Sequence, residues 1–185
     1  FYELKLKDSI DPSIAPKTNV YQVTFDKLNR LVGIQYQAKG KNSVSEAGYS
    51  GIQINYSDSC EERRFSFPIN SRYKKSSAVA LEKIKLNLQG FPVEVSHYND
   101  QGKPVRDGYG VVTYVRLLNN EGWNVEQYYL DENRNKTASL NGDYGFRYQW
   151  NSDDSCYIPT VHYVDQQGNL HSGKRGYAIV RSWFD

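Results

Sequence analysis

VTYVRLLNNEGWNVEQYY, Val112 to Tyr129, decides the fold. Val111 to Val115 is a run of β-branched and aromatic residues, which favours a pleated strand. Asn119-Asn120-Glu121-Gly122 follow, residues that tolerate turn and left-handed geometry. A second alternating run then ends on Tyr129. Two such runs about a polar turn read as a β-hairpin.

The same layout occurs four more times. It appears in YQVTFDKLNRLVGIQY (Tyr21 to Tyr36), GIQINYSDSCEERRFSF (Gly51 to Phe67), EKIKLNLQGFPVEVSHY (Glu82 to Tyr98) and FRYQWNSDDSCYIPTVHY (Phe146 to Tyr163). The closing aromatics Tyr36, Phe67, Tyr98, Tyr129 and Tyr163 are spaced 31, 31, 31 and 34 residues apart. A fixed period of this kind marks a repeat architecture. Polar loops join the segments, and Tyr49, Tyr109, Tyr144 and Tyr177 are candidate unit starts, with Ala80 in that place in the third unit. The units lie near 19–47, 48–78, 79–107, 108–141 and 142–175, with a half-unit at 176–185. Residues 1–18 form an N-terminal arm or partial repeat.

These observations predict an all-β fold: an antiparallel meander of about eleven strands, built from five hairpins plus a terminal strand. An open twisted sheet, a superhelical wrap and a barrel-like closure all fit. The run near Ala78–Leu81 leaves room for a short helical turn.

Composition narrows the function. Of 185 residues, 38% are hydrophobic and 16 are Tyr, which buries a ring while keeping a hydroxyl at its edge. Tyr ladders between neighbouring strands would supply cross-strand pair energy without many aliphatic residues. No run of about 20 apolar residues exists, which excludes a membrane-spanning helix. With 23 basic and 21 acidic residues the net charge is +2, too small a field to favour nucleic acid. The chain begins at Phe1 and contains no Met, which reads as a processed or excised piece. A secreted, periplasmic or cell-surface location is expected.

No nucleophile elbow, phosphate-binding glycine loop or metal-ligand spacing is present, and no catalytic residue, metal or cofactor is expected. The best binding candidates are aromatic: Trp123, Trp150 and Trp183, with Tyr114 and Tyr148, could stack on sugar rings or peptides. Cys60 and Cys156 occupy equivalent turns and could form a disulfide only if the sheet curls to bring them together. His97 and His162 precede Tyr98 and Tyr163 in equivalent His-Tyr pairs and read as repeat surface positions. Asp26, Asp100, Asp131 and Asp165 recur at turn or loop starts and read as turn caps. Asn55-Tyr56-Ser57 and Asn135-Lys136-Thr137 match the N-glycosylation sequon.

FDKLNRLVGIQY (Phe25 to Tyr36) resembles the YD-type repeats of bacterial RHS proteins, and YNDQGKPVRDGYGVVTY (Tyr98 to Tyr114) resembles a wider set of bacterial Tyr/Gly-rich β-hairpin repeats. The resemblance covers about residues 20–185. It implies a β-hairpin array, export, and a binding or encapsulating role, with no catalytic residue to carry over. The leading expectation is a non-enzymatic bacterial repeat module that binds a protein or a cell-envelope glycan through an aromatic sheet face. A structural spacer or shell segment of a larger RHS-like protein is the alternative. A hydrolase with carboxylates inside a curled sheet is a third.

Overall fold

The computed structural model describes residues 19–39, 41–44, 48–67, 79–150 and 159–181. Twelve strands occur in chain order: β1 (Asn19–Phe25), β2 (Leu31–Ala38), β3 (Lys41–Asn42), β4 (Gly51–Tyr56), β5 (Cys60–Ser66), β6 (Leu81–Leu86), β7 (Pro92–Tyr98), β8 (Thr113–Leu118), β9 (Asn124–Leu130), β10 (Gly145–Trp150), β11 (Pro159–Val164) and β12 (Ile179–Val180). Their hydrogen-bonded order is β1-β2-β4-β5-β6-β7-β8-β9-β10-β11-β12, with the short β3 attached to β2 alone. The fold is thus an all-β meander, eleven strands long on its main path. No pairing joins β12 to β1 among the described residues, so the order is open and the barrel-like closure falls away.

Among the described residues the only helical element is one 3-10 turn, Gly173–Arg175. The helical turn considered near Ala78–Leu81 does not form where the chain is described. Val79 and Ala80 are irregular, and Leu81 already begins β6, with its side chain buried. Backbone pairing of Leu81 to Leu86 with β7 overrides the local helix propensity, and it buries Leu81 on one face and Ile84 on the other.

Backbone contacts divide the chain into two compact units. The first, Phe1–Ile54 with Arg64–Lys74, holds the β1/β2 hairpin and the start of β4. Tyr21 and Tyr36 face each other across that hairpin with ring centroids 5.2 Å apart, and Ile34 is its buried aliphatic. Gly51 lies so close to β2 that a Cβ there would stand 2.8 Å from the Ile34 carbonyl oxygen. The second unit, Asn55–Arg63 with Lys75–Asp185, holds β6 to β12 and a core of Leu81, Ile84, Val95, Val111, Val112, Tyr129, Leu130 and Val164.

One turn builds both units. At Asp131 the side-chain oxygen accepts the N–H groups of Asn133 and Asn135, the Asp131 N–H bonds the Asn135 carbonyl, and the Arg134 N–H returns to the Asp131 carbonyl. Asp26, Asn87, Asn99, Asp107, Asn119 and Asp165 repeat this pattern. Ser139 does so with its hydroxyl, which accepts the Asn141 N–H. The fourth residue of each turn has positive φ: Gly in six cases, Asn29 and Arg134 in the others. Backbone N–H bonds hold the head carboxylates of Asp26, Asp131 and Asp165 below the usual Asp range. Of the four Asp residues expected as turn caps, Asp26, Asp131 and Asp165 head turns. Asp100 does not, because Asn99 beside it holds that place.

The turns reset the repeat register. Tyr21 pairs with Tyr36, Glu82 with His97, Tyr114 with Tyr129, and Phe146 with Tyr163, each in the same place in its hairpin. The residue that corresponds to Tyr129 and Tyr163 is therefore His97, not Tyr98. His97 stands ten residues after the Asn87 turn head, as Tyr129 does after Asn119. In the second repeat the tip itself is shorter: the Ser57 N–H bonds the Cys60 carbonyl three residues on, where the Asp26, Asn87 and Asn119 tips span four. The candidate unit starts shift for a related reason. The residues that accept the next inter-unit backbone bond are Ser50, Val112, Tyr144 and Ala178, so Tyr144 is one of them and Tyr49, Tyr109 and Tyr177 are not.

Candidate aromatic binding site

Strand alternation gives the second unit two different faces. One carries Lys83, Glu94, Ser96, Glu126, Tyr128, Arg147 and His162. It is laced by charge: Arg134 grips Glu94 with two bonds of 2.9 Å, Lys83 reaches Glu62 at 3.0 Å, and the Lys136 ammonium lies 4.9 Å from the Tyr128 ring centre. The Arg134 guanidinium holds the Glu94 carboxyl below its usual range despite burial. His162 lies on this face and His97 on the other, so the two His-Tyr pairs are not equivalent.

The other face is aromatic. His97, Tyr114, Tyr129, Phe146, Tyr163 and Tyr177 form a continuous ladder with centroid steps of 5.6, 5.3, 5.8, 5.0 and 5.9 Å. Interplanar angles of 66–86° make every step edge-to-face, the geometry that ring quadrupoles favour. Two of the hydroxyls on the ladder are claimed. Tyr114 donates to Asp107 at 2.5 Å and Tyr129 donates to Asp143 at 3.1 Å. Burial, with the neighbouring carboxylates, pushes both phenols well above the usual tyrosine range.

Asp143 is 1% exposed, in the place that Val111 holds one repeat earlier. It survives there because Ser139 Oγ at 3.0 Å, Arg175 Nη1 at 3.0 Å and the Tyr129 hydroxyl all donate to it. The Arg175 guanidinium also lies 4.4 Å from the centre of the Tyr163 ring. His97 Nε2 stands 3.6 Å from Glu82 Oε1 and its Nδ1 lies 3.4 Å from the Val111 carbonyl oxygen. Burial opposes charge on His97, but Glu82 and Asp107 outweigh it and raise its pKa above the usual histidine value.

From Phe146 the aromatic face extends along β10 toward the hairpin tips. Tyr148 and Trp150 follow at alternate positions, stacked 22° from parallel with centroids 6.3 Å apart. Trp123 closes on Trp150 at 4.8 Å. The Asn119 turn places Trp123, whose N–H bonds Asn119 Oδ1, and the Trp150 indole N–H bonds the Asn124 carbonyl at 2.8 Å. Gly122 leaves room beside it for the Phe91 ring, which would stand 2.6 Å from a Cβ at 122. Trp123 is 41% exposed and Trp150 half-buried. The Asn124 Oδ1 is buried without a hydrogen-bond partner. Arg116, on the same face, bonds Gln127 Oε1 at 3.1 Å, and burial holds its pKa below the usual arginine value.

Three of the five aromatic candidates thus come together: Trp123, Trp150 and Tyr148. Tyr114 belongs instead to the ladder, with its hydroxyl committed to Asp107. Trp183 lies outside the described residues, as does Cys156, and with it the Cys60–Cys156 pairing. Among the described residues no cluster of three or more His, Cys, Asp or Glu could hold a metal ion. No helix among the described residues is long and apolar enough to cross a membrane, which says nothing of crossing by strands. Sequence reading missed Phe91, Asn124 and the Asp143–Arg175 pair. Phe91 was legible, since it follows its turn as Trp123 follows Asn119. The pair was not, because its partners lie far apart in sequence and no local pattern links them.

No protein-family model matches the chain, and neither does any curated protein or solved structure.

Proposed function

We propose that the chain is a non-enzymatic repeat module that binds a protein or a cell-envelope glycan through the Trp123–Trp150–Tyr148 platform. One observation carries this reading: three large rings, Trp123, Trp150 and Tyr148, gather together with Trp123 exposed. An exposed indole backed by two half-buried rings supplies apolar contact to a sugar face or a side chain. The Asn119 turn and the strand register of β10 hold the rings in place before a ligand arrives, which lowers the ordering cost of binding. Export and bacterial origin belong to the same proposal, as does kinship with RHS-type repeats. Asn29, where a YD repeat carries Gly, holds the left-handed conformation that Gly would supply.

A screen of envelope polysaccharides and secreted proteins tests it. Trp123→Ala should weaken the binding found with only a small change in the unfolding midpoint. Trp150→Ala should weaken it too but also lower the midpoint, because its indole N–H bonds the Asn124 carbonyl and its ring packs on Tyr148. Finding no ligand, or binding indifferent to both variants, would sink the proposal. The spacer reading draws on a different observation: the ladder His97–Tyr177 runs through five strands as an uninterrupted structural seam.

A further inference from the structure

The aromatic face also joins an exposed indole to a half-buried phenol, Tyr114, that has a ready proton acceptor. From Trp123 the centroid steps are 4.8 Å to Trp150, 6.3 Å to Tyr148, 6.2 Å to Phe146, 5.8 Å to Tyr129 and 5.3 Å to Tyr114. Phe146 is not itself oxidised under conditions that oxidise Trp or Tyr, but it fills the gap between Tyr148 and Tyr129 with a ring in contact with both.

A phenol yields an electron readily only if its proton has somewhere to go. The ladder offers two carboxylates, and they differ. Asp143 accepts from Arg175, whose positive charge opposes protonation of the carboxylate. Asp107 receives bonds only from neutral donors: the Tyr109 and Val111 N–H groups on Oδ1 and the Tyr114 hydroxyl on Oδ2. Proton transfer to Asp107 needs no rearrangement, because the Tyr114 O–H already points at it.

We infer that Tyr114 is a radical trap: an oxidising equivalent accepted at Trp123 passes along the aromatic face and comes to rest as a neutral Tyr114 phenoxyl radical, with the proton on Asp107. The oxidant is a one-electron acceptor such as a carbonate or peroxyl radical. It takes one electron from the Trp123 indole and becomes its anion. The vacancy on Trp123 is filled, through the intervening rings, by an electron from Tyr114. The Tyr114 O–H bond breaks, and the proton bonds to Asp107 Oδ2. This activity is independent of ligand binding at the platform.

The repeat supplies mild test variants. Phe146 already occupies the place of Tyr114 in the next hairpin, and Asn already heads equivalent turns at 87, 99 and 119. Tyr114→Phe and Asp107→Asn should therefore keep the fold. The full chain is oxidised by a flash-generated ruthenium(III) polypyridyl complex, followed by transient absorption and electron paramagnetic resonance. In the parent chain a tryptophan radical should give way to a tyrosyl radical. Tyr114→Phe should lose the tyrosyl signal and lengthen the tryptophan one. Asp107→Asn should slow tyrosyl formation by about tenfold or more. An unchanged tyrosyl yield in Tyr114→Phe overturns the inference, as does a signal lost in Tyr129→Phe but kept in Tyr114→Phe. Should Tyr114→Phe fail to fold, Asp107→Asn decides, and an unchanged rate overturns it.

Discussion

Removing the Asp143 carboxylate would strand three donors at once: Ser139 Oγ, Arg175 Nη1 and the Tyr129 hydroxyl. Breaking a buried charge pair from one side costs about 3–5 kcal/mol, since the other charge stays buried and unpaired. Asp143→Ala should therefore lower unfolding stability by about that amount in a denaturant titration. The double variant Asp143→Val with Arg175→Leu should recover much of it, because Val111 shows that an aliphatic fits the equivalent place. His97 gives a residue-scale pH effect. Its pKa is raised in the folded chain, so the Glu82–His97 pair stabilises fully below the unfolded value near 6.5. That contribution disappears as pH rises through the higher folded value. Glu82, Asp107 and the Tyr114 ring are the titratable groups that face His97. The stability lost on Glu82→Gln should thus be largest at mildly acid pH and shrink toward pH values above neutrality, as measured by unfolding at several pH values.

The five-residue turn dominates at the scale of the element. Its fourth residue must adopt positive φ, which costs a non-Gly residue about 1–2 kcal/mol. Asn tolerates it best, so Asn29→Gly should raise stability only slightly. Gly90→Ala, where a Cβ meets nothing within 4 Å, should cost about 1 kcal/mol from backbone strain alone. Gly145→Ala should cost far more, because its Cβ would stand 2.0 Å from the Gln127 carbonyl oxygen and force β9 and β10 apart. Thermal unfolding of the two Ala variants side by side checks this ranking. Most of the element scale was legible in the sequence. Alternating runs gave the strands, and each of the eight five-residue turns among the described residues carries Asp, Asn or Ser three residues before Gly, Asn or Arg. What misled was counting. The tip at Ser57–Cys60 is one residue shorter than those at Asp26, Asn87 and Asn119, and a pattern keyed to closing aromatics takes Tyr98 where the turn-based register gives His97. Sequence spacing records such a deletion only as a total, whereas the backbone bonds show where it falls.

At the scale of the whole molecule, low aliphatic content and high Tyr content find one physical explanation. Few aliphatic side chains are buried, and edge-to-face rings stabilise the strands by about 0.5–1.5 kcal/mol per pair beyond the area they bury. The sequence showed that Tyr marks the repeat, but not that the rings meet in one continuous ladder, which depends on the register of five strands. The platform was half legible. Trp123 and Trp150 converge because β9 and β10 are antiparallel neighbours, which sets the start of one beside the end of the other. Tyr114 was grouped with them on composition, and its strand position sends it to the ladder instead. The central claim is that the exposed rings at the tips form a binding surface. Its most direct test is titration of intrinsic tryptophan fluorescence with the ligand that a polysaccharide and protein screen returns, in the parent chain and in Trp123→Ala. The account predicts saturable binding in the parent chain, weakened about tenfold or more in the variant, equivalent to about 1.4 kcal/mol. Equal affinity in the two chains would contradict it.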